Sequence, residues 1–231
     1  MALPTYPGPF IKSDRSPWAG HLHRGIKRSF KANVVLLHPE ETCEFLYYVQ
    51  EGEILTTHFA SPEDSHKVNI IGENAVAGIF EMFSPVAPKA SWRTLAPSVC
   101  YLFSKECVTN DLPKQLLLDL LTQSALMGVT MAGRFVQGTN KRNDIRLARF
   151  LLHFLEFCPT VKEEENGLTI MPNVTQELSG ELLGMHPVTL NKLLAAYRKN
   201  GIIGKSKKSG LQILDVAALA RYAEGSMPPL S

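Results

Sequence analysis

Between residues 25 and 105 apolar side chains alternate with polar ones in short segments broken by turns. Residues 34–37, 43–49, 53–59, 66–71, 75–80, 91–95 and 99–103 read as strands, with turns at Gln50-Glu51-Gly52 and at residues 61–65. Short strands at regular spacing predict a sandwich or barrel. A small barrel of this kind can enclose one ligand.

The period then becomes helical. Over residues 112–137, Leu117, Leu121, Ser124, Gly128, Met131 and Phe135 recur at alternating steps of four and three, which is a coiled-coil seam with small residues at its middle. Leu118, Ala125, Val129, Ala132 and Val136 form a second stripe beside it. One stripe is expected to pack on the barrel and the other on a second copy of the chain; one long helix buried in its own subunit is the alternative. The polar run 138–143 predicts a hinge and domain boundary. Asp144 is placed to cap a helix over residues 145–157, whose core face holds Leu147, Phe150, Leu151, Phe154 and Leu155. Residues 162–166 read as a charged, solvated loop.

Two short helices follow across a tight turn, residues 175–200. Thr175 can cap the first, Glu177 suits its positive end, and Leu178, Leu182 and Leu183 share a face. Gly180 leaves that face thin enough for another helix to approach closely. Gly184 can end the helix in the left-handed conformation, and Pro187 suits the first position of the next. Leu190, Leu193, Leu194 and Tyr197 form its buried stripe at i, i+3, i+4, i+7. Val188, Asn191, Lys192, Ala195 and Lys199 point the other way. Between Met185 and Gln212 there are six Lys or Arg and no Asp or Glu. A helix-turn-helix with its second helix in the DNA major groove accounts for both features. Lys and Arg meet phosphate, Asn191 can pair with adenine and Val188 can meet a thymine methyl. An ordinary helical hairpin with a basic, solvated face has the same spacing. Two short strands around a Gly/Ser/Lys turn, residues 201–214, then read as a wing that lays Lys207 over the DNA backbone. Residues 168–171 supply a third strand, and Asp215 caps a last helix over 216–223.

Composition bounds these readings. The 231 residues hold one large domain or two modest ones, and 45% hydrophobic with 20% charged residues is the balance of a globular protein. The net charge is only +2, so nucleic-acid affinity has to come from a local patch. No apolar run reaches the roughly 18 residues of a membrane span, and the start lacks a signal pattern. The expected location is cytoplasmic, with no membrane partner. Cys43, Cys100, Cys107 and Cys158 form no CxxC pair and are expected to be reduced. Residues 1–24 read as an irregular arm. His21 and His23 alternate as strand metal ligands do, but two histidines make no site, and no metal is expected. A metal-dependent barrel enzyme of cupin type needs His-x-His plus Glu on barrel strands; those strands carry only the scattered His58 and His66, so no enzyme is expected.

The order of parts resembles the cyclic-AMP receptor protein and fumarate-nitrate-reduction regulator superfamily of bacterial transcription factors. The similarity extends from Gly25 to about Tyr222 and is most specific at residues 174–194, nearest to the regulators of halorespiration that respond to chlorinated phenols. Their pattern is echoed by Thr175-Gln176, Gly180-Glu181, Gly184, His186, Val188-Thr189, Lys192 and Leu194, and at the sensor end by Tyr47, Gly52 and Phe103-Ser104-Lys105. The resemblance implies an α+β chain in three parts. Residues 1–110 would be an effector-sensing, cyclic-nucleotide-binding-like β-roll (a double-stranded β-helix), 111–138 a dimerisation helix, and 139–231 a winged helix-turn-helix. It implies double-stranded DNA, a small-molecule effector, a second copy of the chain and RNA polymerase as partners.

Carried over by position, the resemblance puts Thr175 and Thr189 on phosphate and Pro187, Val188 and Lys192 on bases. Much of the superfamily has Glu where Val188 stands. Valine accepts no hydrogen bond but meets a thymine methyl, so an AT-rich inverted repeat is the expected site. The cyclic-nucleotide cassette needs Gly-Glu and then Arg-Ser. Here the run is Gly78-Ile79-Phe80-Glu81 and then Lys89-Ala90-Ser91-Trp92, so cyclic AMP is not the expected effector. Ile79 also replaces the lysine with which the halorespiration regulators meet a phenolate. Tyr47, Phe80, Phe83, Trp92, Met127 and Met131 are expected to line an apolar pocket for a small aromatic effector, with Gly78, Ile79, Glu81 and Lys89 as further effector contacts; a plain core place is the alternative for each apolar residue. No cofactor is expected. The alternative sensor is a haem responding to NO or CO, as in some relatives; seven histidines allow it and none is marked as an axial ligand by spacing.

Overall fold

The computed structural model describes residues 8–11, 17–61, 64–157, 161–164, 167–170, 175–205 and 211–229. The chain packs as two compact units. Ile11–Val129 forms one, and Thr130 onward, with the arm residues Gly8–Phe10, forms the other.

β1 (Phe10–Ile11) falls where the two units meet in the chain, with Ile11 in the first, and the first unit continues with a 3₁₀ turn (Ala19–Arg24), β2 (Ile26–Phe30), β3 (Val35–Leu37), β4 (Phe45–Glu51), β5 (Ile54–Ser61), β6 (Asp64–Ile71), β7 (Val76–Ala77), α1 (Ile79–Phe83), β8 (Ala90–Thr94) and β9 (Ser98–Ser104). These strands form two sheets, ordered β1-β6-β5-β8-β3 and β2-β9-β4-β7. Every pairing with a recorded register is antiparallel, as in Leu46 opposite Phe103 and Thr56 opposite Trp92. Alternation along β8 buries Ala90, Trp92 and Thr94, the pattern of a strand with one face on the core. Leu46, Val49, Ile54, Ile71, Trp92, Cys100 and Phe103 meet in one apolar cluster. The arm is less irregular than its composition suggests. Trp18 is fully buried in that cluster, stacked on Tyr48 and edge-on to Phe103. His21 and His23 lie on the 3₁₀ turn rather than on a strand, and among the described residues no three His, Cys, Asp or Glu converge as metal ligands.

Residues 75–80 are not one strand. After Ala77 the chain turns at Gly78, φ 100°, and α1 begins at Ile79. Ile79 and Met82, three apart, then bury the same helical face, so an apolar run that suits either element is settled by the backbone at Gly78.

Beyond a π-helical turn (Cys107–Asp111) runs α2 (Lys114–Asn140), and α3 (Asn143–Phe157) follows after two residues. The polar run 138–143 therefore breaks the helix later than expected. One mid-helix glycine costs about 1 kcal/mol, too little to stop a long helix. The packing of α2 also departs from expectation. Neither apolar stripe lies on the barrel: Leu117, Leu118, Leu121, Val129, Phe135 and Val136 are all exposed. A third face, Leu116, Leu120, Gln123 and Met127, is the buried one. Lys114–Val136 is long and apolar enough by mean composition to cross a membrane, although Asp119, Gln123 and Arg134 interrupt it. Its polar residues are nonetheless engaged with protein groups. Asp119 accepts from the Trp18 indole at 2.9 Å, and Gln123 Oε1 accepts from Val76 N at 3.0 Å.

The second unit continues with β10 (Val161–Glu164), β11 (Gly167–Ile170), α4 (Gln176–Leu183), α5 (Pro187–Lys199), β12 (Ile203–Lys205), β13 (Leu211–Ile213) and α6 (Val216–Glu224). The small sheet is ordered β10-β11-β13-β12, so most of the charged run taken for a solvated loop is a paired strand, with Lys162 opposite Thr169. Leu147, Phe150, Leu151 and Phe154 of α3 are buried as their spacing predicts. Asp144 is buried in the first turn of α3, where it accepts from Ile145 N and is gripped by Arg142 through both carboxylate oxygens at 3.2 Å. Asp215 Oδ1 caps α6 by accepting from Ala218 N at 2.7 Å.

Candidate nucleic-acid interface and effector pocket

The α4–α5 pair is built from local caps. Thr175 Oγ1 accepts from Leu178 N at 3.1 Å, and Gly184 closes α4 at φ 57°, ψ 45°. A β-carbon on Gly180 would sit 3.1 Å from the Met185 carbonyl oxygen and 3.7 Å from Leu190, so glycine is what lets the turn and α5 come this close. His186 caps α5, its Nδ1 accepting from Val188 N at 3.3 Å. Holding Nδ1 as acceptor puts the neutral ring's proton on Nε2, a donor on an exposed residue. Pro187 occupies the first helical position.

Leu190, Leu194 and Tyr197 are buried. The Tyr197 hydroxyl donates to Asp144 O at 2.8 Å, and its ring meets Tyr222 edge-on, so α5 is held to α3 and α6. Burial pushes the Tyr197 phenol well above its ordinary range, and the hydroxyl stays protonated. The opposite face is free of the core. Pro187, Val188, Asn191, Lys192, Ala195 and Lys199 are exposed, Val188 by 54%, while Thr189 is half-buried. Thr175 is exposed; with its oxygen accepting from Leu178, its O–H remains the donor for a phosphate. The wing strands pair as Ile203 with Ile213 and Lys205 with Leu211. Lys207 lies outside the described residues.

Two residues of this unit carry no periodic or motif signal. The Arg134 guanidinium donates to Leu182 O at 2.8 Å, and that of Arg146 donates to Leu183 O. Gly184 N already bonds to the carbonyls of Gly180 and Glu181. The last four carbonyls of α4, which a helix leaves without helical partners, are therefore all satisfied.

In the first unit the expected effector residues divide. An open pocket of about 360 Å³ is lined by Phe80, Glu81 and Lys89, together with His58, Val86, Pro88 and their neighbours. Tyr47, Gly78, Ile79, Trp92 and Met127 lie instead in or against the packed core cluster, and a β-carbon on Gly78 would stand 2.9 Å from the Trp92 ring. Tyr47 packs edge-on to Trp92 at 5.9 Å. Met131 belongs to the other unit, and Phe83 is 49% exposed. Trp92 joins core to pocket, since its Nε1–H donates to Glu81 Oε1 at 3.3 Å. Burial raises the Glu81 pKa and lowers that of His58. Both shifts favour the uncharged forms and so weaken any ion pair across their 3.8 Å approach. Burial also pushes the Cys43 thiol up to about 12, with the Glu81 charge adding to it, and burial alone does the same to Cys100. Neither presents a thiolate at neutral pH. Cys158 lies outside the described residues.

Comparison with known proteins places these features. The Crp-like helix-turn-helix domain family matches residues 145–222, and the cyclic nucleotide-binding domain family matches residues 27–112. No curated protein sequence matches the chain. Among solved structures, CprK complexed with OCPA is similar, with TM-score 0.70, 18% identity and coverage of 95% of this chain and 99% of that one. A CooA variant from Carboxydothermus hydrogenoformans has TM-score 0.73 and 15% identity, covering 91% and 93%. A CRP/FNR-family transcriptional regulator from Thermus thermophilus has TM-score 0.72 and 21% identity, covering 86% and 98%.

Proposed function

We propose that this chain, which belongs to the cyclic-AMP receptor protein and fumarate-nitrate-reduction regulator superfamily of ligand-responsive, DNA-binding transcription regulators, acts as a homodimer on an AT-rich inverted repeat under control of a small aromatic effector. The observation that carries this reading is the exposed face of α5. Val188, Asn191 and Lys192 stand clear of the core at the start of a helix whose other side is locked by Tyr197. One such helix reads only a few base pairs, and a two-fold pair reads a palindrome. The apolar stripes left open on α2 supply the surface for that pairing, and their burial between two copies removes them from water. As a reader of chromosomal DNA, with RNA polymerase as its further partner, it works in the cytoplasm and not in a membrane.

The effector site is the pocket at Phe80, Glu81 and Lys89. Its apolar lining suits an aromatic ring, and Lys89 can meet an anionic substituent such as a phenolate. CprK, the neighbour solved with OCPA, has a similar fold, which is consistent with this class of effector. The Glu81 carboxyl and the replacement of Arg-Ser by Lys89-Ala90 disfavour a cyclic phosphate. Gln123 accepts from Val76, in the strand just before α1, and so joins the segment leading to the pocket's Phe80 and Glu81 to α2. An effector that favours one arrangement of this contact over another shifts the population of DNA-binding dimers. No cofactor enters this reading; a Soret band in the purified protein would replace the aromatic effector with haem.

Binding selection on random DNA, run with and without halogenated phenols, tests the reading. An AT-rich inverted repeat with A·T at the base pair facing Val188 is expected, enriched in an effector-dependent way. Val188→Glu is expected to move that position to C·G by ~10-fold, since a carboxylate accepts from the cytosine amino group. A G·C preference by the unsubstituted protein, or equal enrichment with and without every phenol, contradicts it.

A further inference from the structure

The two arginines at the end of α4 belong to different helices. Arg134 projects from α2 and Arg146 from α3, and each takes one of the last two carbonyls before the turn that leads into Pro187 and Val188. Like charges so close repel, and burial together with Arg146 pushes Arg134 down to about 10. It remains a cation at neutral pH, and the negative end of α4 is where such a charge is favoured. The next two residues of α2 after Arg134 are Phe135 and Val136. They are 74% and 56% exposed on the apolar stripes. The Arg134 side chain therefore ties the helix-turn-helix to the stretch of α2 whose next two residues are exposed on those stripes.

We infer that Arg134 is the positioning residue that sets the separation of the two recognition helices in the dimer, and so the half-site spacing the protein accepts. The inference rests on the homodimer reading above. Arg146 is the contrast. It holds the same turn to α3, within the winged helix, and not to the helix that carries the stripes. Losing Arg146 loosens the reading head itself, whereas losing Arg134 weakens the hold of α2 on an intact reading head.

The test is equilibrium binding of the full chain to a series of inverted repeats whose half-site spacing varies one base pair at a time. Sedimentation of each protein runs alongside. Arg134→Gln is expected to stay dimeric, to lose ~10-fold affinity at the selected spacing and to lose little at neighbouring spacings, flattening the preference. Arg134→Lys, able to donate to the one carbonyl without the planar fork, is expected to fall between Gln and the unsubstituted protein. Arg146→Gln is expected to lower Tm and to weaken all spacings by the same factor. A dimeric Arg134→Gln that keeps the full spacing preference overturns the inference. A monomeric Arg134→Gln overturns it as well, making Arg134 part of the interface. If Arg134→Gln does not fold, Arg134→Lys decides: a preference equal to that of the unsubstituted protein overturns it. An unsubstituted protein that is monomeric on DNA removes the homodimer reading instead.

Discussion

Glu81 shows how one side chain can tie pocket, core and stability together. It accepts from Trp92, lies 3.8 Å from His58 and lines the open pocket. Burial raises its pKa in the folded protein, so the fold binds this proton more tightly than the unfolded chain does. Linkage then fixes the sign. Stability is fully present below the ordinary carboxyl value and falls as pH rises through the raised folded value. Glu81→Gln removes that loss and can still accept from Trp92. Its Tm is expected to equal that of the unsubstituted protein at about pH 4 and to exceed it at about pH 7, as a thermal melt series reads directly. A Tm difference that does not change with pH would mean that Glu81 carries no buried-charge penalty. Val188 makes the complementary case. Its outward placement was legible in the sequence because the buried stripe of its helix lies on the other face, and the fold leaves it 54% exposed.

At the scale of elements, legibility follows the range of the forces. The α4–turn–α5 unit could be read because Thr175, Gly180, Gly184 and Pro187 act on groups close by in the chain. Arg134 could not, because its acceptor lies 48 positions along the chain and belongs to a backbone carbonyl, which leaves no mark in residue identity. In the β-roll, alternation located most strands, but apolar residues after Gly78 fit strand and helix alike, and α1 was read as strand. The pocket was half legible. Phe80, Glu81 and Lys89 line it, while Tyr47, Trp92 and Met127 went to the core, the alternative their apolar character also allowed. On α2, periodicity located two stripes but not the face its own unit would bury, since Gln123, a polar residue, sits on that face. The exposed stripes carry a prediction of their own. Leu121→Glu combined with Val129→Glu is expected to give a folded monomer by sedimentation and circular dichroism, because both sites are solvent-exposed within one chain. Its DNA affinity is expected to fall by ~100-fold or more, the loss of two-point attachment. A dimer that survives both charges would place the interface elsewhere.

At the scale of the whole molecule, the parts share a division of labour. A β-roll with an open pocket adjoins a helix that carries unburied apolar stripes, and that helix leads into a capped helix-turn-helix with an exposed reading face. The proposed partner copy and palindrome rest on these features taken together. The most direct test is the stoichiometry and spacing dependence of DNA binding, measured by sedimentation and anisotropy on an inverted repeat. The account predicts two chains per duplex and a ~100-fold loss when one half-site is moved by about half a helical turn. One chain per duplex, bound equally well at every spacing, would contradict it.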